Sequence, residues 1–142
     1  GGQLDAFVDF VGSGGTYAGT IQALKAFNPA CKGYVVEPDG AAVLSGAGAT
    51  QPQHPIQGGG YGMKQLSALA SGDIDGYLTI SGNDAKDATR DLARLEGVFA
   101  GFSAGANLAA ATKLLQRAHK GETIAIIICD SGLKYLSTDL WS

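Results

Sequence analysis

The sequence predicts an α/β domain in which helices cover both faces of a mostly parallel sheet. Short apolar runs alternate along the chain with segments of helical periodicity, which is the order that β-α-β units produce. The 22 glycines cluster at the ends of the apolar runs and form neither a repeat nor a linker. Because parallel strands end at the same edge of a sheet, we expect several of these glycine-rich turns to share one ligand there.

A single domain over residues 1–142 is predicted, because this length suits one core and is short for two. The formal charge of −3 argues against nucleic acid as a partner. No apolar run reaches the ~20 residues of a membrane helix. Two cysteines and two histidines without metal-ligand spacing predict no metal site. Cys129 is expected to be a buried thiol and Cys31 a loop residue, and reduced thiols fit the cytoplasm.

The first part of the chain predicts two strands, the helix between them and a long loop. The strands are placed at residues 6–11 and 33–37, and the helix at residues 17–27, where Asn28-Pro29 ends it. Residues 39–60 are rich in Gly, Ala, Pro and Gln and show no period. Loops of this length in small domains are often functional.

The second part of the chain predicts three more helices and three more strands. Ser81 or Asn83 is the expected N-cap of the clearest helix, which Gly97 ends. The other elements, in chain order, are a short helix (61–70), a strand (76–80), a short strand (98–101), a helix from Ser103 to about residue 119 and a strand (123–129).

The strongest local motif is Gly12-Ser13-Gly14-Gly15-Thr16, between a predicted strand and a predicted helix. Glycines let backbone N–H groups turn inward, and a helix N-terminus adds positive partial charge, so this segment is typical of a phosphate site. No Gly-Lys-Ser/Thr follows, which excludes a P-loop, and Tyr17 replaces the third glycine of a dinucleotide fingerprint. A glycine-rich turn without a ligand is the alternative.

Five segments, in order and along essentially the whole chain, resemble the pyridoxal-phosphate enzymes of the cysteine synthase/cystathionine β-synthase family. They are VGSGGTYAG (11–19), YVVEP (34–38), IQGGGYG (56–62), GVFAGFSAGA (97–106) and CDSGLKYLST (129–138). Five matches in the same order are not expected by chance. The resemblance implies the large domain of the fold type II pyridoxal-phosphate enzymes.

The resemblance implies which residues hold the cofactor, pyridoxal 5'-phosphate. The segment from Gly12 through Ser13, Gly14 and Gly15 to Thr16 would bind its phosphate. Ser131 would hydrogen-bond with its ring nitrogen, and a neutral hydroxyl leaves that nitrogen largely unprotonated. Taken alone, Ser131 is more typical of a helix cap, and Ser103 is interpreted as a cap only.

The second glycine-rich loop is similar to the family's loop beside the substrate. Gly58, Gly59, Gly60 and Tyr61 are its predicted substrate-loop residues. Gly59 replaces a family isoleucine and Met63 a phenylalanine, which leaves the substrate preference open.

The resemblance covers the carboxy-terminal half of the family only. The lysine that forms the Schiff base lies upstream in the family, so no catalytic residue is predicted in this chain and the chain alone is expected to be inactive. Of the seven lysines, Lys134 alone lies near the predicted site. The missing N-terminal half is an expected partner, a homodimer is plausible, and the sheet should have an exposed edge.

The expected activity of the intact protein is pyridoxal-phosphate-dependent β-replacement, making cysteine from O-acetylserine, or a similarly activated serine, and sulfide. Cystathionine β-synthase is the nearest alternative, and the presence of Tyr61 beside Gly60 slightly favours it. Serine/threonine dehydratases are a weaker alternative. Two hypotheses belong to a different functional class. One is an isolated non-catalytic domain that binds phosphate or a partner chain, and the other is a sugar-phosphate or nucleotide module of the same fold.

Overall fold

A four-stranded sheet forms the centre of the computed structural model, which describes residues 3–142. In chain order the elements are β1 (Ala6–Phe10), α1 (Gly15–Phe27), β2 (Lys32–Pro38), β3 (Ala41–Ala42), β4 (Gly48–Ala49), β5 (Gly76–Ile80), α2 (Gly82–Glu96), α3 (Phe102–Leu115) and β6 (Ile124–Ile126). Two short 3₁₀ segments lie at Ser67–Leu69 and Gly132–Tyr135.

The sheet has the strand order β5-β2-β1-β6, and its three strand pairs are all parallel. β1 is central and is buried along its whole length, as apolar strands covered on both faces are. Alternate residues of β1 enter different cores: Val8 packs in a core with α3, and Phe7 packs in a core with α1. Helices therefore cover both faces, and the predicted fold class is confirmed.

The helix ends follow the capping residues in the sequence. Ser81 is the N-cap of α2, and its hydroxyl accepts a hydrogen bond from the N–H of Asp84 at 3.0 Å. Gly97 ends the same helix in the left-handed region, at φ 70°. Between the predicted caps Ser81 and Asn83, the structure selects Ser81.

The strand predicted at residues 98–101 is wrong. Gly97 turns the chain at the end of α2, α3 begins at Phe102, and the residues between them do not join the parallel sheet. Ala100 makes only an isolated antiparallel bridge with Ser131. The predicted strand at residues 123–129 is shorter, at Ile124–Ile126, because it lies at the edge of the sheet and leaves β1 beyond Ile126.

The helix predicted at residues 61–70 is also wrong, since only Ser67–Leu69 forms a single 3₁₀ turn. Gly60 and Gly62 have positive φ, which interrupts any helix there. The predicted loop at residues 39–60 contains the small antiparallel hairpin of β3 and β4. The buried Glu37 carboxylate stabilises it by accepting hydrogen bonds from the N–H groups of Leu44 and Ser45, at 2.7 and 2.9 Å.

Cys31 lies in a loop, as predicted, but the prediction that Cys129 is buried is wrong. Cys31 is 1% exposed and packs in the core beneath α1, whereas Cys129 is exposed. No helix within residues 3–142 has both the length and the apolar character needed to cross a membrane.

Candidate active site

A cavity of about 370 Å³ opens beyond the carboxyl ends of β1 and β6. Four segments line it: the end of β1 with the turn after it, the loop at Gln57 and Gly58, the first turn of α3, and the chain after β6. Small-molecule sites have volumes of roughly 300–1,000 Å³, and in open α/β sheets they lie at this edge. The glycine-rich turn at Gly12 lines the cavity, as does Asp130 after β6, and Gly101 packs against Asp130.

The first wall is the predicted glycine-rich motif, and all five of its residues, Gly12 to Thr16, line the cavity. α1 begins at Gly15, and the first hydrogen bond of the helix runs from the N–H of Ala18 to the carbonyl of Gly14. The N–H groups before Ala18 therefore have no carbonyl partner within the helix. Together with the positive end of the helix dipole, they give this wall the properties of an anion site.

Glycine is required in this wall for two different reasons. Gly14 has φ +84°, in the left-handed region that side chains disfavour. At Gly12, a Cβ atom would lie 2.5 Å from the carbonyl oxygen of Gly58. The two glycine-rich loops of the sequence thus pack backbone against backbone, which no larger residue at Gly12 would allow.

The predicted substrate loop is divided by the structure. Gly58 lines the cavity, whereas Gly60 and Tyr61 line a separate, much smaller cleft beside Glu37. Gly59 packs on the carbonyl of Val11 and lines neither. This close packing on the end of β1 explains why position 59 is a glycine.

Ser103 lines the cavity, although its sequence position suggested only a helix cap. It is 5% exposed, and it lies in the first turn of α3, whose N-cap is Gly101. Its signal in the sequence was a polar residue among small apolar ones at a helix start, in the segment GFSAGA.

Ser131 does not line the cavity. It is exposed and precedes the 3₁₀ segment Gly132–Tyr135, where its hydroxyl accepts a hydrogen bond from the N–H of Leu133 at 3.3 Å. The hydroxyl therefore performs the capping role that its sequence position alone suggests.

Asp9 is a second cavity residue that the sequence analysis missed. It is 4% exposed, within a strand of apolar neighbours. Burial raises the pKa of its carboxyl to about 6, and the amide of Asn107 offsets part of this rise. One acidic residue inside a buried strand, in AFVDF, was the available signal.

The last wall follows β6 and contains Cys129, Asp130 and Lys134. One carboxylate oxygen of Asp130 accepts a hydrogen bond from the Tyr135 hydroxyl at 2.7 Å and lies 3.6 Å from the Lys134 ammonium group. The other is buried, with no hydrogen-bond partner within residues 3–142. Lys134 itself is largely exposed.

A family model described as pyridoxal-phosphate dependent enzyme matches residues 1–130 of the chain. This is most of its length. The chain belongs to the family of pyridoxal-phosphate dependent enzymes. The predicted resemblance is thereby confirmed, and pyridoxal phosphate is the cofactor of the family.

Curated relatives of this pyridoxal-phosphate enzyme chain carry the name cysteine synthase. A probable cysteine synthase of Bacillus subtilis is 40% identical over 143 residues, which cover 100% of this chain and 45% of the relative. A cysteine synthase of Staphylococcus aureus is 35% identical, with the same shares covered. The chain thus spans less than half the length of these relatives.

Solved structures of the same family superpose on nearly the whole chain. An O-ureido-L-serine synthase has a TM-score of 0.89 and 37% identity, covering 98% of this chain and 43% of its own. An O-acetylserine dependent cystathionine β-synthase from Helicobacter pylori has the same TM-score and identity, covering 98% of this chain and 44% of its own. The fold type II architecture is therefore confirmed for this partial chain.

Proposed function

We propose that this chain is the carboxy-terminal part of a pyridoxal-phosphate-dependent β-replacement enzyme, which makes cysteine from O-acetylserine, or another activated serine, and sulfide. The names of the curated relatives support this reaction. Under this proposal the rest of the active site, including the lysine that bonds to the cofactor, lies outside residues 1–142. The chain by itself then binds the cofactor without turning over substrate.

The observation that carries the proposal is the position of the glycine-rich turn at the mouth of the cavity. Pyridoxal phosphate is an aromatic ring with a dianionic phosphate arm and a ring nitrogen on another edge. The N–H groups of Gly14, Gly15 and Thr16 suit the phosphate, and the Ser13 hydroxyl, which accepts a 3.4 Å hydrogen bond from the Gly15 N–H, can donate to it. The cavity volume of about 370 Å³ suits the ring, so the residues present fit the cofactor.

Ser103 replaces Ser131 in the proposed site as the hydroxyl that meets the ring nitrogen. Ser103 is buried and lines the same cavity as the phosphate cradle. The Ser131 hydroxyl is exposed and already accepts a hydrogen bond from Leu133. The partner of the Ser103 hydroxyl is the Cys129 thiol, a weak hydrogen-bonding group that a ligand in the cavity could replace.

The chemistry divides between the cofactor and the chain. When bound, the cofactor supplies an electron sink for removing and replacing a group on the substrate's β-carbon. The cradle fixes the phosphate, and Ser103 orients the ring through its nitrogen. The backbone at Gly58, packed on Gly12, forms the wall beside the cradle.

Cystathionine β-synthase activity, with homocysteine as the second substrate, is the second candidate. The similar Helicobacter pylori structure, which is an O-acetylserine dependent cystathionine β-synthase, supports it. In the sequence, Tyr61 slightly favoured this activity. In the structure it lies in the neighbouring cleft and is 65% exposed, so its position does not support cystathionine β-synthase activity. A non-catalytic phosphate-binding domain is the candidate from another class.

The proposed partners are the N-terminal half of the protein, an amino-acid substrate and a second copy of the protein. Among residues 3–142, the edge strand β6 pairs with β1 alone, so its outer edge is available to further chain. Both cysteines are free thiols, which fits the proposed cytoplasmic location.

A charge placed in the cradle tests the phosphate site. Gly15 lines the cavity, and a Cβ there would meet only the Ser13 hydroxyl, at 3.7 Å, so Gly15→Asp fits sterically. Its carboxylate would repel the phosphate, and the affinity of the full-length protein for pyridoxal phosphate should fall at least about tenfold, or about 1.4 kcal/mol. Titration calorimetry measures the affinity.

The matched control is Gly19→Asp, on the same helix and with the same change of charge. Gly19 is exposed, has nothing near its Cβ position and does not line the cavity. Its affinity for pyridoxal phosphate should equal that of the wild type. Equal losses in both variants, or equal binding of pyridoxal without its phosphate, would contradict the cradle.

Borohydride reduction of the full-length protein with bound pyridoxal phosphate tests where the bonding lysine lies. Reduction fixes the lysine–cofactor bond, and mass spectrometry of the peptides then locates it. We expect one stoichiometric adduct outside residues 1–142. An adduct at Lys134, the lysine that lines the cavity, would show that this chain supplies its own bonding lysine.

A further inference from the structure

Asn107 is a fully buried polar side chain next to the wall of the cavity. It lies on α3, one turn after Ser103, is 0% exposed and does not line the cavity itself. Its neighbours on the buried side of the helix include the apolar Ala106 and Ala110. Because burying an amide costs free energy unless the amide forms hydrogen bonds, the contacts of Asn107 decide its role.

The amide nitrogen of Asn107 binds the chain that leaves β6. This strand ends at Ile126, and beyond it the chain no longer pairs with β1. The Nδ2 group of Asn107 donates hydrogen bonds to the carbonyl of Ile127 at 2.9 Å and to the sulfur of Cys129 at 3.7 Å. Both of these residues line the cavity. The Asn107 side chain therefore holds this wall where pairing with β1 stops.

The thiol of Cys129 connects Asn107 to Ser103. Its S–H group donates to the Ile127 carbonyl, with 3.7 Å between sulfur and oxygen, and its sulfur accepts from Asn107. The Ser103 hydroxyl is a further hydrogen-bond partner of the same thiol. Burial raises the pKa of the Cys129 thiol, so it stays neutral and its sulfur is a weak acceptor. A neutral sulfur that already accepts from an amide holds the serine hydroxyl only weakly.

The other end of the Asn107 amide shows that packing alone does not explain this residue. Its Oδ1 atom is buried and has no hydrogen-bond partner within residues 3–142. An unpaired buried acceptor costs free energy, and a leucine would fill nearly the same space without that cost. What asparagine adds at this position is therefore the pair of contacts that Nδ2 makes with the cavity wall.

We propose that Asn107 is a positioning residue for the contact at the cofactor's ring nitrogen, acting through Cys129 and Ser103. This inference rests on the proposed function, in which the Ser103 hydroxyl meets that nitrogen. Asn107 fixes the Cys129 sulfur and occupies part of its capacity to accept hydrogen bonds. The Ser103 hydroxyl then turns its proton from the sulfur toward the ring nitrogen, and the proton stays on the serine oxygen. The ring nitrogen remains an unprotonated acceptor, as a neutral hydroxyl partner leaves it.

Calorimetric titration of the full-length protein with two ligands tests this role. One ligand is pyridoxal phosphate, and the other is deazapyridoxal phosphate, in which a C–H group replaces the ring nitrogen and accepts no hydrogen bond. The ratio of the two affinities isolates the contact at the nitrogen. The wild type should prefer pyridoxal phosphate about fivefold, the value of one neutral hydrogen bond. Ser103→Ala should bind both ligands equally.

Asn107→Leu removes the amide and keeps its approximate size, and its preference for pyridoxal phosphate should fall below about twofold although Ser103 is present. Asn107→Ala is the second variant, in case the leucine does not fit. The matched control is Leu114→Ala, which lies on the same helix, is buried in the core and does not line the cavity. It should lower the stability to urea and keep the fivefold preference of the wild type.

A wild-type preference kept in both Asn107 variants, or lost in Leu114→Ala as well, would overturn the inference. Nuclear magnetic resonance of the Asn107 side-chain amide in the wild type gives a measurement that needs no variant to fold. Its signals should shift more with pyridoxal phosphate than with the deaza ligand, and equal shifts would also overturn the inference. No preference in the wild type would remove the Ser103 contact and the inference with it, whereas failure to bind pyridoxal phosphate at all would overturn the proposed function.

Discussion

Two turns of the molecule look alike in sequence and differ in what they can bind. The first, residues 100–103, leads into α3, and the second, residues 129–132, leads into a 3₁₀ segment. Each has a serine at the start of its helical segment. They lie side by side, through the bridge between Ala100 and Ser131 and a 3.1 Å hydrogen bond from the Gly132 N–H to the Phe99 carbonyl.

The difference lies in where each serine falls relative to the cap. Ser131 is itself the N-cap residue, so its own turn uses its hydroxyl, which accepts from Leu133. Ser103 comes two residues after the N-cap Gly101, inside the first turn of α3, and its buried side chain lines the cavity. The hydroxyl of a serine at an N-cap hydrogen-bonds with the backbone of its own helix, whereas the hydroxyl of a serine within the first turn can hydrogen-bond with a ligand.

Disrupting the contact between the two turns should have the largest effect on stability and cofactor binding. A Cβ atom at Gly101 would collide with the Asp130 carboxylate and the Tyr135 ring. Gly101→Ala should therefore lower the free energy of unfolding by about 2 kcal/mol and weaken cofactor binding, because it separates the turns. Urea denaturation of the full-length protein measures the first effect, and calorimetry the second.

Gly19→Ala is the control for that substitution. Gly19 lies within α1 with no atom near its Cβ position, so alanine should raise the free energy of unfolding by about 0.5–1 kcal/mol. If Gly101→Ala also stabilised the protein, the close packing of the two turns would be refuted.

Substituting each of the two serines should have a smaller effect, limited to either cofactor binding or stability. Ser103→Ala should weaken the binding of pyridoxal phosphate about fivefold, the value of one neutral hydrogen bond of about 1 kcal/mol. Its free energy of unfolding should change little, because alanine fits the same small buried space. Calorimetric titration of the full-length protein checks this.

Ser131→Ala provides the reverse pattern in the same comparison. It removes a cap from a four-residue 3₁₀ segment and should cost about 0.5 kcal/mol of stability, with the affinity for pyridoxal phosphate unchanged. A loss of affinity in Ser131→Ala but not in Ser103→Ala would restore the role that the sequence resemblance assigned to Ser131.

The predictions that held rest on local chemistry. Ser81 and Gly97 mark the ends of α2, and the strand-turn-helix at residues 6–27 appears as expected, because caps, glycine conformations and apolar periodicity act over a few residues. The failures are short segments: positive-φ glycines at Gly60 and Gly62 interrupt residues 61–70, and residues 98–101 bridge to Ser131, which is distant in sequence. Local patterns carry little information there.

The sequence by itself determined the fold class, the family and the glycine-rich turn from Gly12 to Thr16, because apolar period, turn residues and motif order are all local features of the chain. Only the tertiary structure decided that Ser103 and Asp9 reach the cavity and that Ser131 does not. These residues come from β1, α3 and the chain after β6, which meet only when the parallel strands align. The burial of a residue and its distance from the cavity depend on how these distant segments pack together, and no local sequence pattern encodes them.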